Sequence, residues 1–167
     1  MKDRLVFASL TIPFLTVTVA LISSVGIPVS GLAHEGHDHN TFSAGEPGDA
    51  RKPARVIKVK MREDGTKKFF EPARLEVRRG EQIRFVLENA GIQAHEFVIA
   101  TAAENRKHAE EMKKLPDAEH DNPNAKRVAA AGGRELVWKF TKRGDFQFAC
   151  LVAGHYDAGM TGTIVVK

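Results

Sequence analysis

The sequence has one cysteine, Cys150. A single thiol excludes an internal disulfide framework and any metal cluster built from cysteines alone within one chain. Net charge is also scarce: 25 basic side chains against 21 acidic ones leave a formal +4. Most Lys and Arg alternate with acids, which describes solvated faces and not a nucleic-acid patch, so no nucleic-acid partner is expected. No internal repeat is present. With 43% hydrophobic and 28% charged residues, the chain is neither collagen-like, nor a multi-span membrane protein, nor wholly disordered.

What is present begins with a leader. Lys2 and Arg4 precede a stretch from Leu5 to Val29 without charge, and Ser30-Gly31-Leu32-Ala33 then offers small residues where a signal peptidase reads. Residues 1–33 are expected to be a secretory signal peptide cleaved after Ala33. The apolar stretch is also long enough to span a bilayer, so an uncleaved N-terminal membrane anchor is the alternative. Both readings place the remainder in the periplasm. Export makes a free thiol hazardous, and a metal-bound thiolate resolves that difficulty. Residues 34–53 carry almost no large apolar groups and are expected to be a His-rich flexible tail.

A domain follows over residues 54–167. Period-two alternation runs through Arg55–Lys60, Arg74–Arg78, Gln82–Glu88, Arg134–Phe140 and Asp145–Cys150, and His95–Ala100 and Gly162–Val166 read as further strands. The Asp64-Gly65 turn before Lys68-Phe69-Phe70 predicts a hairpin. Residues 102–114 have no β-branched side chain and are rich in Ala, Glu, Lys and Met, which predicts a helix. About seven short strands with one helical insertion make the fold all-β, a small sandwich or barrel.

The chemistry concentrates near the C-terminal end. Cys150, His155 and Met160 are spaced C-x4-H-x4-M after a Gly-x-Phe-x-Phe-x-Cys strand, and His95 opens another strand. Gly154 and Gly159 allow tight turns just before His155 and Met160. Two imidazoles, a thiolate and a thioether form the ligand set of a mononuclear copper electron-transfer site. A zinc site of His95, Cys150 and His155 has suitable donors, but the methionine favours copper. A Cys–His nucleophile oriented by Asp157 is the weaker alternative, since no oxyanion hole is indicated. A second cluster, His34, His37 and His39, could chelate Cu(II), Ni(II) or Zn(II) or serve only as a polar leader. In the helical insertion Met112 stands at i+4 from His108, with His120 beyond. A metal site there is weighed against an ordinary exposed helix, which is favoured.

From about Phe70 to Lys167 the sequence resembles the cupredoxin (type 1, blue-copper) family. The matching pieces are Phe70-Glu-Pro-Ala-Arg-Leu-Glu-Val-Arg-Arg-Gly80, Ile83-Arg-Phe-Val-Leu-Glu-Asn89, His95-Glu-Phe-Val-Ile99, Gly144-Asp-Phe-Gln-Phe-Ala-Cys150, and Gly154-His155 through Met160-Thr-Gly162. The loop spacing is similar to that of rusticyanin-like proteins and periplasmic copper-resistance cupredoxins. The resemblance implies a cupredoxin-like Greek-key β-sandwich. It also implies one type 1 copper held by His95, Cys150, His155 and Met160. Many members place Asn or Ser directly after the first histidine, where this chain has Glu96. Glu96 is expected either to face the metal and hold its potential down or to point to solvent.

The combined expectation is an exported copper-binding protein, not an enzyme, acting in periplasmic copper tolerance or single-electron transfer. A dedicated soluble electron carrier of a respiratory chain is the alternative. The expected form is a monomer that docks transiently with a redox partner or copper-handling protein. Additional Cu(II) on His34, His37 and His39 would favour tolerance.

Overall fold

A computed structural model of the chain describes residues 42–114 and 122–167. Two five-stranded sheets face each other. The first has the order β1 (Gly45–Pro47), β8 (Gly133–Phe140), β5 (Gln82–Asn89), β2 (Arg55–Asp64), β3 (Lys67–Glu71). The second has β4 (Arg74–Val77), β10 (Thr161–Val166), β9 (Gly144–Ala149), β6 (His95–Ala100), β7 (Ala125–Val128). Parallel pairing joins β2 to β5 and β4 to β10, and the other pairs are antiparallel. Alternation decides which side chains turn inward. Val59 and Met61 of β2, Phe85 and Leu87 of β5, and Leu136 and Trp138 of β8 meet Phe97, Phe148 and Ile164 from the other sheet. Phe70 stands edge-on to both Phe97 and Phe148, with ring centroids 5.9 and 5.1 Å apart.

The helix α1 spans Ala102–Lys114, as its composition predicts. Its start is fixed reciprocally: Thr101 Oγ1 accepts from the Glu104 N–H, and Glu104 Oε2 accepts from the Thr101 N–H. Asn105, Ala109 and Met112 share its buried face. Ala109 and Met112 pack on Val98, Ala149 and Leu151, on the side of the second sheet away from the main core. All six residues of β6 are therefore buried. The insertion is thus no ordinary exposed helix, because Met112 is committed to packing. Among the described residues, no helix is long and apolar enough to cross a membrane.

Two short strands escape the sequence reading. β7 carries Lys126 and Arg127 in only four residues, too few to show a period. β1 lies within the segment expected to be a flexible tail, and that expectation is corrected for its second half. Residues 42–53 lie against the first sheet. Ala44 is fully buried, Phe42 stacks edge-on to Trp138 at 5.3 Å, and the Gln82 amide donates to the Asp49 carbonyl at 3.0 Å. Gly45 has φ +152°, and a Cβ there would run into the Lys139 carbonyl. Residues 34–41, including His34, His37 and His39, lie outside the described residues, as do the leader 1–33 and His120.

Candidate metal centre

Three neighbouring strands of the second sheet bring the donor residues to one pole. β9 ends at Ala149, so Cys150 leaves the sheet beside the first residue of β10, and Val98 of β6 pairs with Ala149 on the other side. The loop from Cys150 to Met160 is tied at its mouth by Cys150 N–H donating to the Met160 carbonyl at 3.0 Å. Inside it, Met160 N–H reaches the His155 carbonyl at 3.1 Å, and His155 N–H reaches that of Val152 at 2.9 Å. Gly154 and Gly159 adopt φ of +81° and +84°, the left-handed conformation that tight turns need. The His95 side is built by Asn89. Its Nδ2 donates to the carbonyls of Gln93, Val128 and Ala129 at 2.7, 3.1 and 3.0 Å, and its Oδ1 accepts from Gly91 N–H at 2.9 Å. One buried amide thus fixes the loop that delivers His95.

The donor atoms converge. His95 Nδ1 lies 3.2 Å from His155 Nδ1 and 3.8 Å from Cys150 Sγ, which is 3.3 Å from His155 Nδ1. Together these atoms fall within 4.8 Å of one another. His95 and Cys150 are fully buried, His155 nearly so, and Met160 is fully buried at the loop's far end. Sγ also accepts the Glu96 N–H at 3.3 Å. Burial pushes the Cys150 thiol up to about 12. It drives His155 down to about 4, aided by the charge of a protonated His95. Burial also lowers His95, against the opposing pull of Glu63. Without a cation the pocket therefore holds a neutral thiol and neutral imidazoles. These groups suit a cation of borderline softness, which displaces the thiol proton on binding.

Two neighbours of the cluster differ from the sequence reading. Glu96 points neither to the donors nor to solvent. Its side chain is buried, with Oε1 3.7 Å from Nη1 of Arg127, its partner across β7. It serves Sγ through its backbone N–H, a role that does not depend on side-chain identity. Glu63, which sequence reasoning missed, places Oε1 2.9 Å from His95 Nε2. It sits 32 residues from His95, on a strand of the other sheet, and no local pattern distinguishes it from the acids that alternate with Lys and Arg.

The model of copper binding proteins of the plastocyanin/azurin family matches residues 57–167. The chain belongs to that family. The cupredoxin is also 47% identical over 146 residues to the copper-resistant cuproprotein CopI of Rubrivivax gelatinosus, covering 81% of this chain and 87% of that one. Against CopI of Pseudomonas aeruginosa it is 32% identical over 152 residues, covering 74% and 82%. Among solved structures, reduced auracyanin from Roseiflexus castenholzii superposes with a TM-score of 0.58 at 22% identity. That match covers 70% of this chain and 99% of auracyanin and supports the cupredoxin fold. The donor set is that of one type 1 copper.

Proposed function

We propose that this cupredoxin is exported and acts in periplasmic copper tolerance, with copper held by His95, Cys150, His155 and Met160. The observation that carries the reading is the buried convergence of two Nδ1 atoms and one Sγ, in a chain nearly half identical to a copper-resistant cuproprotein. Bound copper supplies a one-electron Cu(II)/Cu(I) couple. The protein's part would be to offer Cys150 as thiolate, to hold both imidazoles neutral, to exclude water, and to present Met160, at the loop's end, as a thioether donor. A donor loop tied by its own backbone bonds changes little between oxidation states, which also supports the second reading, a dedicated electron carrier.

Growth of a deletion strain on graded copper separates the two. Tolerance predicts growth arrest at lower copper, restored by the wild-type gene and not by Cys150→Ser. Equal growth of deletion and parent strains would leave the carrier reading in its place.

A further inference from the structure

The least expected contact at the donor pole joins the two sheets. Glu63, next to last in β2, is largely shielded, with 14% of its side chain exposed. Its Oε1 faces His95 Nε2 at 2.9 Å and also accepts the Gln93 N–H at 3.1 Å. The loop wraps this carboxylate closely: a Cβ on Gly91 would sit 2.6 Å from the same oxygen. The oxygen that faces His95 is thus already committed as an acceptor of a backbone N–H.

With Nδ1 turned to Cys150 Sγ and His155 Nδ1, and Nε2 turned to an oxygen that accepts N–H groups, the geometry places the His95 proton on Nε2. The Nδ1 lone pair is then aimed at Cys150 Sγ and His155 Nδ1 before any cation arrives. A carboxylate behind an imidazole also makes it a stronger donor and brings a negative charge close to the centre. Both effects favour the more highly charged metal ion.

We propose that Glu63 is a positioning residue of the copper centre, fixing the His95 tautomer and biasing the site toward Cu(II). The proposal rests on the copper reading above. It gives this site a brake on its reduction potential that is separate from Met160 and comes from the opposite sheet.

Glu63→Gln is the discriminating variant. The amide keeps an oxygen for His95 and Gln93 and removes only the charge. The expected result is an intact thiolate-to-copper absorption band with Cu(II) affinity reduced about 10–100-fold. Cu(I) affinity should change less, so the potential rises by about 59 mV for each tenfold difference. An unmoved potential in copper-loaded Glu63→Gln overturns the proposal. NMR of the Cu(I) wild type gives a reading that needs no variant. The His95 Nε2–H should be displaced downfield and exchange slowly with water, and a fast-exchanging proton overturns the tautomer assignment. A wild type that shows no thiolate band would instead bring down the copper reading itself, and the Glu63 proposal with it.

Discussion

Cys150 is fully buried, yet its sulfur is surrounded by groups that donate to it or stand beside it as ligands. A hydroxyl is a far poorer soft donor than a thiolate, so Cys150→Ser should abolish the intense visible charge transfer of the Cu(II) protein. Absorption and EPR check this, and a variant that stays coloured would refute the assignment. Met160→Leu should keep copper and raise the potential. It removes a sulfur donor to the cupric state and leaves an apolar side chain in its position. Voltammetry giving an equal or lower potential would remove Met160 from the donor set. At this scale the converging His95, Cys150 and His155 were legible because two of them share a short loop with Met160 in a distinctive spacing. Glu63 was not, since the fold alone brings β2 to the start of β6.

At the scale of elements, the alternating strands and the helix announce themselves through period and composition, whereas β1 and β7 are too short to carry a period. The burial of all of β6 follows from α1, which the sequence supplies as a helix without saying where it docks. Met112 is its deepest anchor. Met112→Ala should cost about 2–4 kcal/mol, read from urea unfolding, because it leaves a cavity behind β6 and β9. The charge-transfer band should survive, since Met112 packs in a cluster that contains no donor residue. Loss of the band would mean that α1 shapes the donor loop.

The opposite end of the sandwich is pinned by Glu81, which accepts from Arg55 Nε at 2.6 Å and from Arg78 N–H at 2.8 Å. Arg55 is the main cause holding the Glu81 carboxyl below its usual range. A carboxyl lowered in the folded state contributes stability above its unfolded value, about 4.3, and loses it as pH falls through the lower folded value. Glu81→Gln should therefore lower stability by about 1–2 kcal/mol at pH 7. The gap in urea midpoint between wild type and variant should close progressively below about pH 4. A gap independent of pH would assign the effect to packing.

For the whole molecule, the sequence marks out the sandwich, its donor pole and its helical insertion, but not which segments before residue 54 belong to it. Ala44 is part of the core and the half-buried Phe42 packs against it, in a stretch whose composition reads as tail. His34, His37 and His39 precede that edge strand in sequence. If they collect copper, the protein binds Cu(II) equivalents beyond the coloured one, more weakly, and loses them as pH falls through the imidazole range. Calorimetric titration of wild type against the triple Ala variant decides this, and equal stoichiometry would reduce the cluster to a polar leader.

The tie between Cys150 N–H and the Met160 carbonyl has a consequence for how such a protein can change. Both ends of the donor loop are secured to each other at the rim of the sheet, so the loop is a replaceable cartridge in a fixed socket. Residues between the ties can be lengthened, shortened or exchanged without altering the registry of β9 with β10. His95 and its support belong to the socket. Diversification of the redox chemistry is therefore open to insertions and deletions in one place, while the rest of the sandwich stays under ordinary packing constraints.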